Sequence, residues 1–290
     1  MLRNSILFGL CLAAVSAFAD DQCEKLEIET ITGKDYHVTS TIVMAEEKAM
    51  VVDAQMKLSQ ANRVAGLIEA RGKDLQAIWI SHAHPDHYLG LSALTARFPN
   101  ARIYATSAVV ERIKETGQQN IDRYSADKDI SNTLIIPAPY DKTIVKFGDC
   151  SFNIFHFGQG DTTHETVVYI PDSKTLIATD MIYDRTHLWL AENDHVARMQ
   201  WIANLERIKE KANGIDVIVP GHKPVDADLS EIGIVDTMIE YLNQFDKIMA
   251  ESKSADEVVN KMKALYPNYG LVNLLEVSAK LRFKAEHPQS

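Results

Sequence analysis

Ala77-Ile78-Trp79-Ile80-Ser81-His82-Ala83-His84-Pro85-Asp86-His87 is the stretch whose reading decides the fold. Its first four residues are an apolar run suited to a buried strand, and its last six contain three imidazoles and a carboxylate. A strand that ends in a tight polar loop can aim several side chains at one point, whereas a helix would spread them around its circumference. Neutral imidazole and carboxylate are ligands for zinc, iron or manganese, and an open position on such an ion activates water. HxHxDH behind an apolar strand therefore predicts a metal-ligand cluster at a strand end, not a polar loop with incidental histidines.

Working outward from that stretch, the 290 residues can bury a substantial core in one large domain. The N-terminus carries Arg3, an apolar run from Ile6 to Val15 and an A-x-A pattern at Ala17-Phe18-Ala19. This reads as a secretory signal peptide over residues 1–19, too short for a comfortable membrane span. The expectation is a secreted or periplasmic protein with no stable membrane anchor after cleavage. The formal net charge of -10 argues against a nucleic-acid partner and leaves a small molecule as the expected substrate. Cys23 and Cys150 remain after cleavage, and a disulfide between them and two separate thiols both stay open.

Strand-like text rich in Ile, Val and Thr covers residues 25–32 and 37–45, continues at Met50-Val51-Val52-Asp53, and returns at 75–80 and 102–105. Helical spacing is read over residues 59–70, 88–98 and 107–116, and residues 117–141 read as an irregular surface excursion over a site. Strands resume at 143–147, 151–157, 166–170 and 175–178, followed by a helix over 197–212 and a strand ending in His222. From Leu229 onward the text is helical. The expected organisation is a signal peptide at 1–19, one α/β domain at 20–228, and a helical C-terminal extension at 229–290 packed on it.

Polar residues recur at the ends of these strands: Asp161 and His164, then Asp180, then His222. In that order behind HxHxDH they make the chain resemble the metallo-β-lactamase-fold hydrolase superfamily, over most of the mature chain up to His222. The resemblance implies a four-layer αβ/βα sandwich with metal at the sheet edge. It also implies His82 and His84 as ligands of a first metal, Asp86, His87 and His222 as ligands of a second, and Asp180 as the bridging carboxylate. The implied cofactors are two divalent ions, zinc before iron or manganese. Between them a hydroxide would be held for attack on a carbonyl or phosphoryl centre, with Asp86 helping to orient it.

The first metal's third ligand departs from the family's Gly-His-Thr pattern. Here the text is Gly158-Gln159-Gly160-Asp161-Thr162-Thr163-His164. Spacing favours Asp161 and ligand chemistry favours His164, with Gln159 behind both. An aspartate would harden the site toward iron or manganese. Asp180 in place of a cysteine is more similar to glyoxalase II and the acyl-homoserine lactonases than to the best-known zinc β-lactamases. Tyr183 resembles the lactonase tyrosine that contacts the substrate carbonyl, and its phenol suits hydrogen bonding to an oxyanion as well as it suits core packing. His187, Leu188, Trp189 and Leu190 are candidates for an apolar wall.

These features lead to an exported metal-dependent hydrolase of a small ester-like substrate, a lactone or thioester ahead of a β-lactam. Alternatives are β-lactamase activity and a non-hydrolytic metal-binding or redox accessory protein.

Overall fold

The protein is described by a computed structural model over residues 26–147 and 149–288. The expected signal peptide and Cys23 lie outside the described residues. Cys150 is buried and disulfide-bonded.

Two sheets form the centre. The first is built from β1 (Glu27–Thr32), β2 (Thr39–Ala45), β3 (Lys48–Val52), β4 (Asp74–Trp79), β5 (Arg102–Ala105) and β6 (Ala138–Pro139) in that order across the sheet. The second contains β7 (Ile144–Phe147), β8 (Cys150–Gln159), β9 (Thr163–Ile170), β10 (Thr175–Tyr183) and β11 (Val217–His222), ordered β11-β10-β9-β8-β7. Their sequences alternate between two apolar faces, which requires cover on both sides. In β2 and β3, Ile42, Met44, Ala49 and Val51 pack into one core cluster, while Val43, Ala45, Met50 and Val52 pack into another. In β10, Leu176 and Ala178 face a third cluster and Ile177 faces the middle one.

Those three cores separate four layers. Helices α1 (Leu58–Ala70), α2 (Pro85–Tyr88), α3 (Leu91–Arg97) and α4 (Ser107–Tyr124) lie with the first sheet. Helices α5 (His195–Lys209), α6 (Ile234–Glu251), α7 (Ala255–Leu265) and α8 (Val272–Glu286) cover the second. Phe152, Ile154, Trp79 and Val52 fill the space between the sheets. Each fully buried side chain of this size contributes roughly 1.5–3 kcal/mol, and that core can carry strained backbone at its edge.

Two helices differ from the sequence reading. The helix expected at 88–98 is two pieces, and the first begins at Pro85, inside the histidine motif. Proline's fixed φ suits the first helical position, and the chain then breaks at Gly90. A Cβ there would come 2.1 Å from the Ala54 carbonyl oxygen, so the close approach to the loop after β3 needs glycine. Helix α4 continues to Tyr124, eight residues past the expected end at Thr116. Its added turns bury only Gly117, Asn120 and Ile121, too sparse an apolar stripe to register as periodicity.

Candidate metal centre

The ends of β3, β4, β10 and β11 converge on one edge of the sandwich, and each delivers ionisable groups. β4 leads through Ile80 into Ser81 and His82, and short helix α2 carries Asp86 and His87. Asp180 lies within β10, not after it, at an irregularity where Thr179 adopts φ 48°. A β-branched residue in the left-handed region is strained, at a cost on the order of 1–3 kcal/mol. The bend turns Asp180 toward its neighbours on β11. Gly221 makes room: a Cβ there would lie 2.0 Å from Asp180 Oδ1, so no side chain fits between β10 and His222.

The four imidazoles share one arrangement, with one ring nitrogen anchored outward and the other turned inward. His87 Nδ1 donates to Asp53 Oδ2 at 2.8 Å, and His222 Nδ1 donates to the Tyr36 carbonyl at 2.8 Å. Ser81 donates its backbone N–H to Asp53 Oδ1 at 2.9 Å and its hydroxyl to Oδ2 at 2.7 Å, leaving Ser81 Oγ to accept from His82 Nδ1 at 2.9 Å. His84 Nε2 donates to Glu192 Oε1 at 3.0 Å. Such outer contacts fix the tautomer and ring plane and make the free nitrogen a better ligand. The inward nitrogens are His82 Nε2, His84 Nδ1, His87 Nε2 and His222 Nε2.

Those nitrogens meet carboxylates in two sets. His82, His84, Asp161 and Asp180 each offer a ligand atom, all within 4.8 Å of one another; Asp86, His87 and His222 do the same. Asp180 joins the sets, with Oδ1 3.4 Å from His87 Nε2 and Oδ2 3.0 Å from His222 Nε2 and 3.7 Å from His82 Nε2. His87 Nε2, Asp161 Oδ1 and Asp180 Oδ1 are buried without a hydrogen-bond partner. Orphaned ligand atoms in a shared buried space fit a bound cation, because leaving such groups unpaired is costly.

Charge points the same way. Asp161, Glu165 and Asp180 are all fully buried. Burial raises Glu165 well above the usual carboxylate range, and Asp161 and Asp180 push it further. Burial lifts Asp161 to about 6 against the pull of His84. For Asp180 burial works upward, yet His222 and His87 hold it well below its ordinary value. Burial lowers His82, and the neighbouring charge of His87 lowers it further. Burial also opposes charge on His84, but Asp161 and Glu192 outweigh it. A divalent ion would relieve the repulsion among these carboxylates.

The structure separates the three candidates for the departing position. Asp161 is in the first set, with Oδ2 2.9 Å from His84 Nδ1. His164 is exposed with φ 68° and lines a different depression with Phe157 and Gln200. Gln159 donates to the Gly160 carbonyl at 3.0 Å and borders that same depression. Tyr183 is buried, stacks on His222 at 4.7 Å, and donates to Asp180 at 2.8 Å and Asp161 at 3.1 Å. Burial raises its phenol well above the ordinary range, with Asp161 and Asp180 adding to the shift, so the proton stays on.

A cavity of about 230 Å³ opens over both sets, lined by Asp86, Asp180, Tyr183, Trp189, Glu192 and the face of α4 carrying Arg112 and Arg123. The expected apolar wall contributes only Trp189, edge-on to His84 at 6.3 Å. His187, Leu188 and Leu190 are core residues, with His187 paired to the Tyr241 hydroxyl.

Asp53, Glu165 and Glu192 belong to the site but were not singled out from the sequence. Asp53 had a usable signal, since it closes the apolar strand Met50–Val52 much as Asp180 follows Thr175–Ala178. It holds φ 63°, which aspartate tolerates better than most residues. The other two are brought in by tertiary contacts alone.

A buried histidine–aspartate cluster at the edge of an αβ/βα sandwich defines a class of metal-dependent hydrolases. Within it, a family profile for the metallo-β-lactamase superfamily matches residues 33–222, and the chain belongs to that superfamily. Among curated relatives, the metallo-β-lactamase IND-1 of Chryseobacterium indologenes is 22% identical over 238 residues, covering 76% of this chain and 92% of its own. A metallo-β-lactamase type 2 of Bacillus cereus is 20% identical over 200 residues, covering 69% and 72%. Solved structures agree on the fold: the B3 metallo-β-lactamase BLEG-1 superposes with a TM-score of 0.59 at 14% identity, covering 74% of this chain and 99% of that one.

Proposed function

We propose that this protein is an exported hydrolase, dinuclear in zinc, that cleaves a small ester-like substrate, a lactone or thioester. The observation that carries it is the convergence of four inward imidazole nitrogens with the Asp86, Asp161 and Asp180 carboxylates, beside a cavity that His84, His222 and those carboxylates line. His82, His84 and Asp161 would hold one ion, Asp86, His87 and His222 the other, and Asp180 both. When bound, the ions supply Lewis acidity and a water nucleophile at neutral pH.

The chain's own residues set the rest. Asp86, at 16% side-chain exposure, is the carboxylate ligand most open to the cavity and would help orient the nucleophile. Tyr183 keeps its proton beside Asp180 and can redirect that hydrogen bond to a developing oxyanion once the carboxylates are engaged by metal. Trp189 offers the acyl group an apolar face. Arg112 and Arg123 on α4 suit an anionic substituent on that group, since Arg123 has no ion pair among the described residues. The apolar leader at 1–19 supports export to the periplasm.

A second reading is β-lactam hydrolysis, favoured by the curated relatives, which are metallo-β-lactamases. The test is turnover by the mature protein, loaded in turn with zinc, manganese and iron, on lactones, thioesters, β-lactams and phosphodiesters, each with and without a free carboxylate. Lactone or thioester turnover well above β-lactam turnover is expected. β-Lactam preference would select the second reading, and tight metal binding with no hydrolysis would select a metal-binding accessory protein.

A further inference from the structure

His87 and His82 have their outer hydrogen bonds at strand ends, to Asp53 after β3 and Ser81 after β4, and His222 has its own to the Tyr36 carbonyl in the β1–β2 turn. His84 differs. Its anchor, Glu192, lies on the loop from 185 to 193, and both carboxylate oxygens are used: Oε1 accepts from His84 at 3.0 Å and from Trp189 Nε1 at 3.4 Å, while Oε2 accepts from Thr162 Oγ1 at 3.3 Å. The next residue on that loop, Asn193, donates to the Gly160 carbonyl at 2.7 Å, directly before Asp161. One loop thus braces two of the three ligands that belong to the first set alone, His84 and Asp161.

That loop is held by the helices beyond the family match. Gly270, before α8, accepts from His187 N–H and donates to the Arg185 carbonyl, each at 2.9 Å. Ser278 of α8, fully buried, accepts from Leu190 N–H at 2.9 Å. Buried Arg198 donates to the Asn193 carbonyl at 2.6 Å while gripping Glu286 of α8 and Asp246 of α6.

We propose that Glu192 is a positioning residue for metal ligand His84, and that the C-terminal helices serve the site by clamping the loop that delivers it. The carboxylate receives the Nε2 proton of His84, keeps Nδ1 as the donor atom, and holds the ring edge-on against Trp189. A ligand histidine without such a partner is free to rotate and to switch tautomer. The inference rests on the metal centre proposed above but on no choice of substrate.

The test uses the full mature chain with zinc and cobalt(II) as probes, comparing wild type, Glu192→Gln and Ser278→Ala. Metal retained is measured against a graded chelator series, and the paramagnetically shifted imidazole N–H resonances of the cobalt protein are followed by NMR. Glu192→Gln is expected to weaken one ion about 10- to 100-fold, and to perturb the His84 N–H resonance while those of His87 and His222 stay in place. Ser278→Ala is expected to weaken the same ion roughly two- to tenfold. Glu192 stands at the cavity mouth, so its variant should melt with the wild type, and a melt run alongside checks that.

Equal retention of both ions in Glu192→Gln, or equal loss of both, would overturn the positioning role. Loss of both ions or of neither in Ser278→Ala would overturn the clamp. Selective loss in a protein that hydrolyses nothing would leave this inference standing and sink the hydrolase reading. A wild type that binds no divalent ion would overturn both.

Discussion

The two ligand sets of this centre are built differently. Asp86, His87 and His222 follow the order that the resemblance implies, with His87 held by Asp53 just after β3 and His222 by the Tyr36 carbonyl in the β1–β2 turn. His82, His84 and Asp161 depart from that order at Asp161, and two of the three are braced from the side by a loop that depends on α6 and α8. One set is tied to the sheet edge and the turn beside it. In the other, His84 and Asp161 depend on a loop clamped by α6 and α8 while His82 rests on Ser81 at the end of β4, so the geometry of those two ligands can change without disturbing the core.

The sharpest way to break the comparison is to remove Asp86, which belongs to the set tied to the sheet edge and faces the cavity. Asp86→Ala should lower turnover by roughly 10³-fold or more, since losing a ligand that serves several kcal/mol of charge stabilisation costs about tenfold per 1.4 kcal/mol. Its melting temperature should hold, because the side chain is no part of the core. Retained turnover would remove the two-ion reading.

Next comes the pair that separates the departing ligand from its rival. Asp161→Ala should lose one ion and, with it, most turnover, by roughly 10²-fold or more. His164→Ala should change metal content and kinetics by less than twofold, because His164 faces another depression. Metal analysis of the two purified variants decides it, and the reverse pattern would return the ligand role to His164.

A smaller effect is expected at Tyr183, which contacts both sets through Asp180 and His222. Tyr183→Phe should lower kcat by about tenfold with KM little changed, the size of one hydrogen bond to a charged group. Unchanged kcat would make the ring a packing element only.

The last effect is electrostatic and bears on stability, not rate. The Asp161 carboxyl moves from 3.8 to about 6 on burial in the metal-free fold. Between those values the folded protein keeps a proton that the unfolded chain has released. Its contribution to stability is therefore present at low pH and lost as pH rises through about 6. Asp161→Asn lacks this titration, so its melting temperature should gain on the metal-free wild type from about pH 4 to 7. A constant difference between the two across that range would contradict the buried charge assigned to Asp161.

Much of this was legible in the chain. Apolar, β-branched text made β2, β3 and β10 readable as strands, the resemblance implied the four layers, and contiguity made the HxHxDH loop readable as a ligand source. Asp180 and His222 were readable because each follows an apolar strand. The choice between Asp161 and His164 was not, because it depends on how β8 and β9 turn. Register shifts at Gly158 and Gln159, with His164 at positive φ, carry the histidine outward and Asp161 inward. Glu165 and Glu192 were illegible for a different reason: an isolated glutamate gains its role only when Thr179 or His84 arrives from another element. The end of α4 was hidden by its polar outer face.

As proposed, the centre holds two ions, with Asp161 completing the first. Anomalous diffraction from metal-loaded crystals tests it most directly. Two peaks are expected on either side of Asp180, one among His82, His84 and Asp161 and one among Asp86, His87 and His222. A single peak, or a first peak ligated by His164 with Asp161 turned away, would contradict it.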